Sequence, residues 1–473
     1  MKRLIFCFDG TWNRIDSQNP TNVARIAQSV SRFDKHGIAQ LIHYDEGVGT
    51  TKWSKWTGGI LGWGLKDNII EAYHFLVLNY EPGDHIIVFG FSRGAFTARS
   101  FVGMIRNCGI ISRRALHFIR DARELYTSKE ESKRPDSDFA RQFRFDHCRH
   151  LCLPGDRDWR ARQYPELDHS EAIDLEICYV GIWDTVGALG VPTHLKLMPT
   201  LRSRYRFHDT RLSSCVKRAR HALAIDERRG AFEPTFWSNL HVLNAEFSEE
   251  KRYEQLLFPG THGSVGGGGP VRGLSDAALD WVLRGARKGE VAFDTDPESP
   301  LYQMHPDHRT ALFNIGGKKK SYGIRDWFSG GFRLADRDFT QLGTPDFHPS
   351  VARRFHAGGA ILPEMKAYRP KSLSQWWSDL EMTQVATDIN IDDDLMERKG
   401  LWDNRALRPP AETREYVVKR GDNLTKIAKA EMGSKKDWQI LYLHNRNIGI
   451  LFDPDELYAN QKIEIPVYAD LGE

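Results

Sequence analysis

His85-Ile86-Ile87-Val88-Phe89-Gly90-Phe91-Ser92-Arg93-Gly94-Ala95-Phe96 is the stretch whose reading decides the fold. The apolar, β-branched run 85–89 follows the turn signal Pro82-Gly83-Asp84 and reads as a buried strand. Beyond Gly94, the apolar residues of 95–105 recur at helical spacing. Strand, sharp turn, helix is the setting that a G-x-S-x-G elbow requires, and Gly90-Phe91-Ser92-Arg93-Gly94 occupies the turn. The turn strains the serine backbone, so only small residues fit two positions to either side. It also lifts the hydroxyl off the sheet and aims the Arg93 backbone N–H at the place where an oxyanion forms. The five residues alone carry little weight; their flanks do.

Working outward, the first half alternates strands and helices. Residues 3–8 and 40–44 read as strands, 22–33 as a helix and 66–79 as an amphipathic helix. This rhythm predicts a mostly parallel sheet flanked by helices. Residues 113–175, rich in Arg, Lys and Glu, read as a helical insertion at the sheet edge. Residues 175–182 return to strand, 218–225 read as helical, 253–258 as strand, and 275–286 as a helix with Ser275 as its N-cap. Residues 290–395 are irregular and read as a cap or lobe that completes a catalytic domain spanning 1–395. A linker over 396–413 carries Pro409-Pro410. The pattern then restarts over 414–473 as strand, two helices and strand, with Asp422 or Asn423 capping the first helix and the second starting at Asp437.

The 473 residues suffice for a large domain and a small one. A net charge of +3 gives no argument for nucleic acid. No stretch approaches the roughly 18 apolar residues of a membrane helix. Asp9 ends the N-terminal apolar run too early for a secretory signal, so 3–8 reads as a first strand and the chain as made in the cytoplasm without a Sec leader. Six scattered cysteines form no disulfide framework. Cys148 and Cys152, with His147 and His150, are the only metal-like cluster and lack a second ligand pair at zinc-finger spacing, so neither metal nor cofactor is expected.

A serine nucleophile needs a base, and the base an orienting carboxylate. Asp184 and His262 stand in the order Ser, Asp, His, each just past an expected strand, where the functional groups of a parallel sheet collect. His221 and His241 are rival bases; one falls in an expected helix, the other among apolar residues. The second oxyanion donor is expected from Gly10 or Thr11, in Asp9-Gly10-Thr11-Trp12-Asn13 after the first strand. Asp9 and Asp45 read equally as site residues and as turn residues. Trp53, Trp56, Ile60, Leu61 and Trp63, broken by glycines, read as a lid, a lipid-facing surface or a buried aromatic corner.

With Asp9-Gly10-Thr11-Trp12-Asn13, Gly47-Val48-Gly49-Thr50, the serine elbow, Trp183-Asp184-Thr185-Val186-Gly187 and Phe258-Pro259-Gly260-Thr261-His262 in that order, the chain resembles the type VI secretion phospholipase effectors of the α/β-hydrolase class. The resemblance runs over about 1–395, including His348-Pro349-Ser350-Val351 and Tyr368-Arg369-Pro370. It implies an α/β-hydrolase-like fold, a Ser92-Asp184-His262 triad and cleavage of phospholipid acyl esters; the rival readings are an intracellular esterase for a soluble substrate and a non-catalytic structural component that docks through 414–473. It also implies delivery to a target membrane by a contractile apparatus, and an immunity protein as partner. Ser264 stands where the family usually carries Asp. Residues 416–466 resemble a LysM domain in Val418-Lys419-Arg420-Gly421-Asp422-Asn423-Leu424-Thr425-Lys426-Ile427-Ala428, Asn445 and Leu457-Tyr458-Ala459-Asn460-Gln461-Lys462-Ile463. That resemblance implies binding to peptidoglycan, or docking to a secretion spike or tube protein, through 414–473.

Overall fold

The structure is a computed structural model. It describes residues 1–10, 13, 15–47, 61–187, 210–247, 251–294, 299–301, 303–312, 335–359, 362–363, 366–383, 410, 412–447, 450–451 and 457–467. Thr11, Trp12, Trp53, Trp56, Ile60 and most of the expected linker lie outside the described residues, and of the Leu61 and Trp63 side chains nothing is described.

Seven parallel strands form the main sheet in the order β2-β1-β3-β6-β7-β8-β9. They are β1 (Arg3–Phe8), β2 (Gln40–Asp45), β3 (His85–Phe91), β6 (Ile177–Trp183), β7 (Ala219–Ala224), β8 (Tyr253–Phe258) and β9 (Asp346–Phe347). Both faces are covered, so β1, β3 and β6 are near-continuous apolar runs rather than alternating ones. Leu4, Phe6, Phe8, Ile86 and Val88 pack in one core with Tyr73 and Leu76 of helix α2 (Leu61–Asn79) and with Phe101 and Ile105 of helix α3 (Arg93–Cys108). On the other face, helix α1 (Asn22–Ser29) and the helix Gly273–Lys288 cover the sheet, and the buried Arg25 of one pairs with Asp276 of the other.

The chain leaves β1 for β2 on one side and returns to β3 on the other. Strand order reverses at β1, so the loops after β1 and β3 meet at the carboxyl edge, where open α/β sheets bind ligands.

Several expectations change. The 113–175 insertion carries helices α4 (Ile119–Thr127), α5 (Asp138–His147) and α6 (Asp156–Gln163) and a small β4–β5 pair (Leu151–Cys152, Ile173–Asp174). It packs over α3 rather than at the sheet edge: Ile119, Ala122, Leu125, Ala140 and Leu151 share the core of Phe101 and Ile105. Cys148 belongs to that core, its Sγ donating to the Cys108 carbonyl at 3.2 Å. Residues 219–224 are not helical but an interior strand. The Ala-Arg-His-Ala-Leu-Ala run has helix propensity, which pairing on both edges overrides. Ser275 lies inside its helix, its hydroxyl donating to the Arg272 carbonyl.

Compact packing divides the chain into Met1–Asp294 with His308–Thr383, and Thr295–Asp307 with Gln384–Glu473. Residues 295–307 thus group with the second unit rather than with the expected 290–395 lobe, and within that unit the His305 ring sits edge-on to Tyr442 at 5.9 Å. In this second unit β10 (Glu412–Val417) pairs antiparallel with β11 (Lys462–Val467). The helices Leu424–Glu431 and Trp438–Asn447 pack on that pair around Val418, Leu424, Ile427, Leu441 and Ile463. Asn423 caps the first helix through the Lys426 N–H. The buried Asn445 amide locks the second helix to β11, donating to the Glu464 carbonyl at 2.6 Å and accepting from its N–H at 2.7 Å.

Candidate active site

Ser92 stands between β3 and α3 with φ 60° and ψ −121°. This is a backbone state that costs a non-glycine residue about 1–3 kcal/mol and persists only where the surroundings impose it. The two glycines impose it. A β-carbon on Gly90 would lie 2.7 Å from the Gly94 carbonyl oxygen, and one on Gly94 would overlap the Phe8 carbonyl. Arg93 opens α3, so its N–H is among the helix-end donors that have no acceptor within the helix. Its half-buried guanidinium is lowered to about 10 by burial.

Asp184 follows β6 and is also at positive φ, 40°. The β-sheet brings it beside His262, which begins the short helix His262–Gly266 after β8. His262 Nδ1 lies 2.5 Å from Asp184 Oδ2, and its Nε2 lies 2.7 Å from Ser92 Oγ. A carboxylate only accepts, so Nδ1 carries the proton and a neutral ring turns its Nε2 lone pair to the serine O–H. The imidazole is held between the rings of Phe91 and Phe232, at 4.6 and 4.7 Å. Burial alone would push the Asp184 carboxyl up. The Arg337 guanidinium, with hydrogen bonds from His262 and Arg337, overrides burial and holds it well below the carboxylate range. Asp184 is therefore ionised throughout the working pH range.

Two acidic residues after β7 fix the loop that carries the histidine. Asp226 accepts the Gly260 N–H at 2.7 Å and the Tyr368 hydroxyl at 2.8 Å. Glu227 accepts the N–H of His262 at 3.2 Å and is paired with Arg229 at 2.7 Å. Ser264, in the place of the family's usual Asp, lies 3.1 Å from the Thr261 hydroxyl. His348 caps the helix Pro349–His356 and stacks on Phe258 at 4.3 Å.

The rival histidines do not reach the serine site. His221, on β7, is buried between Gln255 at 2.9 Å and the Thr185 hydroxyl at 3.1 Å. Burial, with the nearby Arg99 charge, pushes it down to about 3, so it stays neutral. His241 is exposed on the helix Leu240–Asn244.

The loop after β1 reaches the site differently from expectation. Gly10 lies against Ser92; a β-carbon on it would sit 3.3 Å from the serine Cβ. Its N–H, however, is turned back to the Asp9 carboxylate at 2.6 Å and is not aimed at an oxyanion. Thr11 lies outside the described residues. Asp9 is buried and also accepts from Thr21 at 2.5 Å, Tyr44 at 2.8 Å and Asn13 at 3.1 Å. Burial raises its carboxyl to about 6 against the opposing pull of these donors. Asp45 instead holds a turn, accepting the Gly47 N–H at 2.9 Å and the Asn68 amide at 2.6 Å.

Sequence reasoning missed Arg337. It donates to both Asp184 oxygens, at 2.6 and 2.8 Å, and to the carbonyls of Ala224 and Phe232. No motif surrounds it. Among the described residues no group of three or more metal-ligating side chains converges.

A protein of Saccharomyces cerevisiae, YEL023C, is 27% identical over 267 residues, which is 52% of this chain and 34% of the yeast protein. The chain thus spans about a third of that relative's length. Among solved structures, an uncharacterised protein from Pseudomonas aeruginosa is 15% identical, with a TM-score of 0.38 over 97% of this chain and 75% of the other. A Tle1 effector, determined bound to the VgrG spike of a type VI secretion system, is 17% identical, with a TM-score of 0.29 over 57% of this chain and 52% of the other. The model of the catalytic domain of Tle1-like phospholipase effectors of the type VI secretion system matches residues 2–285, a span that runs from β1 through Ser92, Asp184 and His262 to the helix behind the sheet. By that match the chain belongs to the Tle1-like phospholipase effector family.

Proposed function

We propose that this protein is a serine-dependent phospholipase of A type, cleaving the carboxylic esters of membrane glycerophospholipids. Ser92 is the nucleophile, His262 the base and Asp184 its orienting acid. The observation that carries this reading is the continuous chain of hydrogen bonds from Ser92 through His262 to Asp184, at 2.7 and 2.5 Å, at a strained elbow. His262 takes the serine proton as Oγ attacks the acyl carbonyl. The Arg93 N–H donates to the oxyanion that forms. As the intermediate collapses, the imidazolium returns the proton to the departing lysophospholipid oxygen. Water then repeats the sequence and releases the fatty acid.

Membership of an effector family supports delivery through a type VI apparatus to a competitor's membrane. For residues 414–473, we take the strand-helix-helix-strand unit and its sequence resemblance to support a LysM-like module that docks to peptidoglycan or to a secretion spike protein. An immunity protein in the producing cell would follow from antibacterial action. The test is product analysis on phosphatidylglycerol–phosphatidylethanolamine vesicles. Fatty acid and lysophospholipid in equal amounts support the reading. Release of a soluble headgroup, or of phosphatidic acid, overturns it.

A further inference from the structure

We infer that Arg337 is a positioning residue for the reaction, holding the Asp184 carboxylate and extending to lower pH the range over which His262 remains a base. This rests on the proposed triad.

The guanidinium meets the carboxylate as a two-pronged fork, Nη1 to Oδ1 at 2.6 Å and Nη2 to Oδ2 at 2.8 Å. Each nitrogen also donates to a backbone carbonyl, Nη1 to Ala224 at 2.6 Å and Nη2 to Phe232 at 2.7 Å. The Arg337 side chain is 4% exposed and that of Asp184 fully buried. The Ala224 N–H completes the set around Oδ1 at 3.0 Å. Asp184 is thus tied to β7 and to the segment carrying Phe232, whose ring also flanks His262.

The charge matters as much as the geometry. A bare carboxylate favours the protonated form of a neighbouring histidine and so removes the base as pH falls. Here a permanent cation shares the carboxylate, and the pair offers an imidazolium much less attraction. The other titratable groups near His262 are each held by partners of their own. Glu227, which accepts the His262 N–H, is paired with Arg229. Asp226 lies one residue away and binds the Gly260 N–H and the Tyr368 hydroxyl. His221, near Asp184 through Thr185, is neutral. Phe91 and Phe232 bring no charge. Among the described residues, Arg337 is therefore the cation that faces the Asp184 carboxylate directly.

The experiment measures kcat/KM against pH on a soluble fluorogenic ester for the full-length protein, Arg337→Gln and Arg337→Lys, with circular dichroism and Tm beside each. For Arg337→Gln the acidic limb should move up by about one pH unit, with about tenfold loss on the acid side and a smaller loss on the plateau. Arg337→Lys keeps a charge without the fork, so it should hold the limb near the wild-type position while lowering the plateau. A uniform loss at every pH in Arg337→Gln, with the limb in place, would overturn the inference. If that variant does not fold, Arg337→Lys decides, and a wild-type plateau there overturns it. Ser92→Ala separates the two claims: if it retains turnover, the triad reading fails whatever the Arg337 limb does.

Discussion

Gly94 lies against the backbone carbonyl of Phe8, one strand away, so closely that a β-carbon on Gly94 would overlap the Phe8 oxygen. The elbow and the loop after β1 are therefore locked to each other before any side chain is considered. Gly94→Ala cannot relieve the overlap by rotating a side chain, because the atoms it meets, in the Phe8 and Asp9 carbonyls, are backbone. We predict a loss of roughly 3 kcal/mol or more. Soluble yield and Tm check this, and Gly94→Ala at wild-type Tm would contradict the locked elbow.

His262→Ala should lower kcat by several orders of magnitude in a protein that is still folded at the assay temperature, a loss far beyond any fall in Tm, because it removes the proposed base and its link to Asp184. His221→Phe should do the reverse. It strips two buried partners, Gln255 and Thr185, and should cost about 1–3 kcal/mol of stability while leaving the pH profile in place. Paired kinetic and thermal data on the two variants separate chemistry from packing.

Asp9 predicts a pH dependence of stability with a definite sign. Its folded-state value, about 6, is raised above the ordinary 3.8, so the folded protein binds the proton more tightly than the unfolded chain. The stability contributed by this proton is complete below the unfolded value and is lost as pH rises to the folded value. The stability of wild type relative to Asp9→Asn should therefore fall between about pH 4 and 6 and stay flat above. Denaturant titrations of both proteins across that range check it; a difference that rises with pH would contradict the buried carboxyl.

Deleting residues 411–473 should leave the Ser92–His262–Asp184 chemistry intact, since every residue of that chain lies in the unit formed by Met1–Asp294 and His308–Thr383. The deletion also takes Tyr442 from His305, so exposure should appear in 299–307. Esterase assays and limited proteolysis report the two effects. Loss of all activity on a soluble ester would show that the catalytic unit needs the tail.

The elbow was legible because its signal is local: a β-branched strand, two glycines two residues from a serine, and a helix. Asp184 and His262 were legible for a related reason, since each follows a strand that ends at the same edge of a parallel sheet. Where the reading failed, the deciding contacts were distant or invisible to periodicity. The run 219–224 has the alanines of a helix, and only burial between β6 and β8 makes it a strand. Gly10 was expected to offer its N–H to an oxyanion, but a one-residue turn gives that N–H to Asp9. Arg337 sits in Ala335-Asp336-Arg337-Asp338, inside the irregular stretch 290–395, where no periodicity marks it; its meaning comes from Asp184, 153 residues earlier.

On the proposed mechanism, Ser92 Oγ is the atom that takes the acyl group. Intact-mass and peptide mass spectrometry after treatment with a fluorophosphonate test it directly, because the reagent traps a serine only where a base and an oxyanion site activate it. One adduct per chain is expected, on Ser92, with loss of phospholipid hydrolysis in step with labelling, and neither adduct nor hydrolysis in a folded Ser92→Ala variant. An adduct on another residue, or vesicle hydrolysis that persists in Ser92→Ala, would contradict it.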